Sequence, residues 1–288
     1  VRCPHRRDPN CTALCRIMDY IGMKYDVLAT SEANLSEDRL WQGTHARYQG
    51  IVLSTGYFAQ WNTALSDWYD PLDDEEWNAL HAFQARFGIR VASFCGVPRV
   101  FATTNALMIH EPASTQETPL ELTLTDAGRQ VFAYLNGDCR IPVLAGTAIA
   151  VTPMTIASAP LLEGADGQTY GALWTTKEGC EYLSLTLEHS ERSLHTLLLA
   201  YGVLNWVTRG VFLGQRKVTL GVQIDDIFTS NQLWNGASGS AAAASVYRMT
   251  AADVAALAHW QDRVQKQRNA QSMTVSFAFN GAAATPVP

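Results

Sequence analysis

The run Val218-Thr-Leu-Gly-Val-Gln-Ile-Asp-Asp-Ile-Phe228 constrains this chain more than any other stretch. It reads as an apolar strand that delivers two adjacent carboxylates, Asp225 and Asp226, at its carboxyl end. Like charges side by side are costly to ionise unless a metal or a proton is shared between them. That end of a strand is also where α/β sheets and barrels place catalytic groups. In a metal-dependent hydrolase one carboxylate binds the metal while its neighbour takes a proton from the bound water. The plain alternative is that one Asp caps a turn and the other is solvated.

At 288 residues, 47% hydrophobic and 17% charged, the composition is that of an ordinary globular chain, too long for one typical core. Two domains, or three, are expected. A net charge of -6 argues against a nucleic-acid partner, which selects for a basic face. No run approaches the ~18 apolar residues of a membrane span. The amino end, Val1-Arg-Cys-Pro-His-Arg-Arg-Asp8, lacks the apolar stretch of a signal peptide. Six cysteines form no CxxC pair, so zinc-ribbon spacing is missing. Cys139 and Cys180 lie in a strand-rich stretch, where they form either a disulfide or two buried thiols.

The first hundred residues alternate helix and strand. A helix over Thr12–Ile21 ends at Gly22, and strands follow at Tyr25–Thr30 and Gly50–Gly56. Asp73-Asp-Glu-Glu76 opens a helix with acid in its first turn, where the dipole favours it. Gly88 caps that helix, and Ile89–Cys95 is the next strand. The alternation implies a parallel, flavodoxin-like sheet over residues 1–113. Such a sheet calls for a strand before the first helix. Val1–Asn10 does not read as one, so the amino end is expected to be truncated or altered.

Pro112–Thr118 reads as a linker. Beyond it, short alternating strands are predicted at Leu120–Leu124, Gln130–Tyr134, Pro142–Leu144, Thr147–Thr152, Tyr170–Thr175 and Tyr182–Leu187. That spacing suggests a β-sandwich within 114–213. A long apolar helix over Glu191–Val211 closes this stretch. From 214 to 288 the order is the Asp-Asp strand, a mobile loop Thr229–Ser245, a helix opened by Thr250-Ala-Ala-Asp253 in the manner of a capping box, and a strand Met273–Phe279. This is the start of a (β/α) barrel, left incomplete by the end of the chain. The fold class is therefore α/β plus β.

Val222-Gln-Ile-Asp-Asp-Ile-Phe228 resembles the first motif of metal-dependent polysaccharide deacetylases, most closely the family 18 carbohydrate esterases of the galactosaminogalactan deacetylase type. The resemblance implies a flavodoxin-like domain, a β-sandwich carbohydrate-binding module and a barrel deacetylase, in the order read above. It implies Asp225 as general base, Asp226 as metal ligand and zinc as the ion, with Asn280 at the end of the second barrel strand beside the substrate. It also implies a secreted protein acting on a polymer of N-acetylated amino sugars. The family completes its metal site with two histidines four residues apart. The seven histidines here (His5, His45, His81, His110, His189, His195, His259) contain no such pair, so the chain by itself is expected to be inactive.

Trp174 and Tyr182 can stack on sugar rings if they stand exposed on the sandwich; otherwise they are core. A second reading is therefore a non-catalytic carbohydrate-binding protein. A third, an amidotransferase-like domain, needs a nucleophile such as Cys95 beside a histidine, and no partner base is evident.

Overall fold

The computed structural model describes residues 1–57, 61–62, 66–68, 70, 72–98, 106–116, 118–212, 214, 221–236, 240–268 and 270–279. They fall into two units, Val1–Arg216 and Lys217–Pro288.

The first unit is organised by helices whose ends are written locally. Helix α1 (Pro9–Ile21) starts where the Asp8 carboxylate accepts the Cys11 amide, with Pro9 in the first turn, and stops at Gly22 in the left-handed region. Helix α2 (Asp74–Phe87) opens on a capping box between Asp73 and Glu76 and closes at Gly88, again left-handed.

These helices flank a seven-stranded sheet. Its parallel part is built from β1 (Arg2–Cys3), β2 (Leu28–Ala29), β3 (Gly50–Leu53) and β4 (Arg90–Ser93), in the order β2-β1-β3-β4. The amino end thus supplies the strand that its sequence does not announce. Two residues are too short for a period-2 pattern, and one of them is an arginine. Arg2 stays buried because its guanidinium pairs with the equally buried Glu76 and donates to the Ala33 carbonyl at 2.6 Å.

The expected boundary at 113/114 is not where this sheet ends. Strand β5 (Leu107–Ser114) takes in the first three residues of the predicted linker and pairs antiparallel with β8 (Thr147–Pro153). Strands β6 (Leu120–Leu124), β7 (Ile141–Val143) and β10 (Leu162–Gly164) form a three-stranded antiparallel sheet. The remaining three, β9 (Ser158–Pro160), β11 (Gly171–Thr175) and β12 (Glu181–Leu185), extend the parallel sheet instead. β12 lies parallel to β4, Tyr182 opposite Val91, and β11 and β9 add antiparallel outside it. The strand predicted at Gln130–Tyr134 is replaced by helix α3 (Asp126–Val131), because the Thr125 hydroxyl caps the Gly128 amide at 3.0 Å.

Alternation along the strands sends successive side chains to opposite faces. Val52, Ala92 and Leu183 face one core with Leu14 and Met18 of α1 and with Val203 and Leu204 of α4 (Leu194–Val207). Leu53, Val91 and Tyr182 face the other, with Leu80 and Phe83 of α2. Covered faces on both sides are what a parallel sheet requires. Cys139 packs on the first core and Cys180 in the second, so no bridge joins them; all six cysteines are free.

In the second unit β13 (Val222–Ile224) pairs in parallel with β16 (Val275–Phe277). The segment expected to be a mobile loop contains a hairpin of β14 (Asn231–Asn235) and β15 (Ser240–Tyr247). Helix α5 (Ala251–Gln265) follows, opened by the Thr250–Asp253 capping box. Among the described residues this is a strand–helix–strand unit, not a closed barrel. No helix of the described residues is long and apolar enough to cross a membrane.

Candidate functional site

β13 ends where the sequence places the carboxylates. Asp225 and Asp226 are both exposed, and Gln223 donates to Asp225 Oδ1 at 2.8 Å. Asp226 sits at φ 52, a left-handed position that Asp tolerates better than most residues, and its carbonyl accepts the Thr229 amide at 2.8 Å. Phe228 meets Phe279 edge to face at 5.3 Å, with the Arg248 guanidinium over its ring.

The donor set does not fit a catalytic zinc, which takes three protein ligands. No group of three His, Cys, Asp or Glu suited to a metal exists among the described residues. Apart from the pair, residues 217–288 contain only Asp253, His259 and Asp262 of those types. The Asp253 carboxylate is held in its capping box, and His259 Nδ1 lies 2.8 Å from the Ala255 carbonyl of its own helix. Asn280 lies outside the described residues.

Trp174 and Tyr182 are core, which corrects the expectation of a sugar platform. They are cross-strand partners on β11 and β12, 7% and 0% exposed, with rings stacked 5.7 Å apart. The Tyr182 hydroxyl donates to Gln84 Oε1 at 2.6 Å, which satisfies its one polar atom inside the core. Neither presents a face to a ligand. Cys95 is buried, and burial, with Glu188 and Asp8 adding to it, pushes its thiol far above the range of a nucleophile.

The carboxyl ends of the parallel strands, where doubly wound sheets bind ligands, are closed by a buried polar network. Asp8 Oδ2 accepts the hydroxyls of Ser54 (2.9 Å) and Thr55 (3.2 Å), which follow β3. Asn10 Oδ1 accepts the His189 amide at 2.7 Å. Asp8, Asn10, Ser54, Thr55 and His189 are at most 4% exposed, so this end is a structural knot.

The accessible site lies beside the edge strand β2. A cleft of about 1160 Å³ is lined by Cys15 and Asp19 of α1, by Tyr25 and Asp26 leading into β2, and by Arg39, Arg47 and Tyr48. It exceeds the ~300–1,000 Å³ of small-molecule pockets, which suits an extended chain better than a single small ligand. Two half-buried phenols are fixed in it by carboxylates. Tyr25 donates to Asp19 and Tyr48 to Asp26, each at 2.8 Å. Burial and these carboxylates push both phenols up. Arg39 and Arg47 stand exposed nearby. Anchored aromatic faces beside charged hydrogen-bonding groups match a sugar, whose rings have apolar faces and polar edges.

Sequence reasoning missed this site, because Asp19, Tyr25, Tyr48 and the arginines arrive from separate turns. The available signal was the pair of tyrosines, each beside a charged residue, one opening the predicted strand Tyr25–Thr30 and the other just before that at Gly50–Gly56.

A family model for the Agd3 CBM87 module matches residues 6–134. That stretch holds most of the cleft, and it overlaps the 114–213 stretch expected to be the carbohydrate-binding module over residues 114–134. No curated protein sequence matches. Among solved structures, Agd3, described as a novel carbohydrate deacetylase, superposes with a TM-score of 0.67 at 19% identity, covering 95% of this chain and 41% of Agd3. The mmIFT52 N-terminal domain reaches 0.48 at 8% identity, covering 71% of this chain and 92% of its own. The chain therefore shares the fold of Agd3 while spanning less than half its length.

Proposed function

We propose that the first unit binds a polysaccharide in the cleft of Tyr25 and Tyr48. The observation that carries this reading is the position of that cleft within the 6–134 stretch matched by a carbohydrate-binding module. The described side chains supply what such a ligand needs: two fixed aromatic rings, carboxylates and exposed guanidinium groups.

The finer reading is that the chain is part of an extracellular polysaccharide N-deacetylase acting on a polymer of N-acetylated amino sugars. The likeness to the Agd3 fold and the Asp-Asp pair at the end of β13 favour it. In that reading Asp225 is the general base and Asp226 a zinc ligand. The site needs donors that the described residues do not bring, so binding, not hydrolysis, is the function proposed for residues 1–288. The strand order β2-β1-β3-β4-β12 supports a flavodoxin-like description of the sheet.

The test is calorimetric titration of the chain with oligosaccharides of N-acetylated amino sugars, beside Tyr48→Ala. Binding that the variant weakens at least about tenfold, a loss of ~1.4 kcal/mol, supports the reading. Absence of binding to any such oligosaccharide refutes it.

A further inference from the structure

The cleft of Tyr25 and Tyr48 is opposite in charge balance to the chain that forms it. Its described lining includes five basic side chains, Arg2, Arg6, Lys24, Arg39 and Arg47, against the two acids Asp19 and Asp26. The whole chain has 21 Lys and Arg against 27 Asp and Glu. Two of the five cations are already matched. Arg2 pairs with Glu76, and Arg6 grips Glu32 through two nitrogens, at 2.6 and 2.9 Å. Lys24, Arg39 and Arg47 are exposed, and their side chains make no ion pair or hydrogen bond among the described residues. The two acids, by contrast, are engaged, Asp19 by the Tyr25 hydroxyl and Asp26 by that of Tyr48.

Local structure brings Arg39 and Arg47 together. Glu37–Leu40 form one helical turn, anchored in the core by Leu40 at 0% exposure. A hairpin of Trp41–Gln42 and His45–Ala46 follows, with Trp41 opposite Ala46 and Gly43 turning it at φ 57. The Leu40 carbonyl accepts the Arg47 amide at 2.9 Å, which continues that register and sets Arg39 and Arg47 on neighbouring stretches of backbone. Arg86 pins the hairpin tip by donating to the Gly43 carbonyl at 2.8 Å. Neighbouring like charges repel, and an anion between them relieves the repulsion. Each guanidinium presents a fork of N–H groups that matches the paired oxygens of a carboxylate or a sulfate. Tyr48, the next residue, is held by Asp26 at the same wall.

We infer that the cleft takes an anionic glycan, with Arg39 and Arg47 pairing carboxylate or sulfate groups spaced along the polymer while the Tyr25 and Tyr48 rings meet its sugar faces. The inference rests on the reading of this cleft as the polysaccharide site and adds the charge of the polymer. An N-acetylated amino sugar is neutral, so the negative charge belongs to an alternating uronate or to a sulfate ester. Lys24 strengthens the field as a point charge, without the fork. A free-amine polymer, by contrast, meets three unpaired cations and two carboxylates already bonded to phenols.

The experiment titrates the full chain calorimetrically with three hexasaccharides. One is neutral N-acetylglucosamine throughout, one alternates N-acetylglucosamine with glucuronate, and one alternates N-acetylglucosamine 6-sulfate with galactose. At least one acidic hexasaccharide should bind about tenfold tighter than the neutral one at ~20 mM NaCl, and the advantage should vanish by ~0.5 M. Which acidic oligomer binds identifies carboxylate or sulfate as the group recognised. Arg39→Gln and Arg47→Gln should each weaken that binding about fivefold, while leaving the neutral oligomer within about twofold. Arg192→Gln, an equal loss of charge outside the cleft, should change neither. If an arginine variant fails to fold, the neutral-to-acidic ratio and its salt dependence in the unaltered chain still decide. Neutral binding as tight as acidic, or acidic binding indifferent to both cleft variants, would overturn the inference and leave the polysaccharide site standing. Binding of none of the three would overturn both.

Discussion

The imidazole of His189 lies flat on the ring of Phe94, centroids 3.9 Å apart and planes within 13°. Its Nδ1 meets the Thr196 hydroxyl at 3.1 Å, while Nε2 reaches no hydrogen-bond partner among the described residues. The His195 ring is 5.1 Å away. This arrangement accepts a neutral ring and penalises a charged one.

Acid sensitivity follows. Burial holds both His189 and His195 below the usual histidine range, with His195 adding to the effect on His189. Below ~pH 6.5 the unfolded chain binds protons that the folded chain refuses, so stability falls as pH falls, by up to ~1.4 kcal/mol per unit and histidine. Above that pH no further change comes from these groups. Urea unfolding should show about 2 kcal/mol lost between pH 7.5 and pH 5.5, a window that carboxylates hardly enter. His189→Gln, which takes up no proton, should roughly halve the loss; an unchanged slope would show that the stacked histidine is not its source.

The two sets of aromatic residues should respond oppositely. Trp174→Ala or Tyr182→Ala opens a cavity between β11, β12 and α2 and should cost about 3–5 kcal/mol of stability. Tyr48→Ala removes a half-buried ring at the cleft and should cost under ~1.5 kcal/mol while abolishing most glycan affinity. Unfolding by denaturant, run beside the calorimetry, separates the two. A stable Trp174→Ala that has lost binding would return the site to the sheet.

What was legible in the sequence was local. Asp73 with Glu76, Thr250 with Asp253, and the glycines at 22 and 88 mark helix ends through bonds to their own backbone, so position along the chain suffices to read them. Sheet membership beyond the first hundred residues was not legible. Leu183 and Leu185 alternate with Tyr182 and Ser184 whether β12 lies in a sandwich or beside β4, because a period of two names a strand's faces and not its neighbours. The hairpin of β14 and β15 was hidden by its Asn, Gly, Ser and Ala content, which carries weak strand propensity. The cleft was hidden for the same reason as the sheet order, since its residues converge only after β1, β2 and β3 have paired.

Close approach gives a third test. A Cβ built on Gly50 would lie 1.9 Å from Val207 Cγ1, at the point where β3 meets the end of α4. Gly50→Ala should therefore destabilise the first unit by about 1–3 kcal/mol through overpacking. Adding Val207→Ala removes the clashing methyls and should recover part of the loss, a coupling readable in a double-mutant cycle. Strict additivity of the two changes would mean that β3 and α4 do not meet as described.

The Asp225–Asp226 pair supplies the last prediction. Two exposed carboxylates attract a divalent ion weakly, and each further donor that closes the shell adds most of the affinity. Here Gln223 already occupies one oxygen of Asp225, and the only other His or carboxylate side chains of the second unit are Asp253, His259 and Asp262. Zinc titrated calorimetrically into residues 1–288 should therefore show no sub-micromolar site in that unit. Asp226→Asn keeps a side chain that tolerates φ 52, so the turn survives while one charge is lost. It should leave the isotherm unchanged. Sub-micromolar binding that disappears in Asp226→Asn would instead show that donors converge on Asp226 in solution, and hydrolysis would then belong to this chain as well as carbohydrate binding.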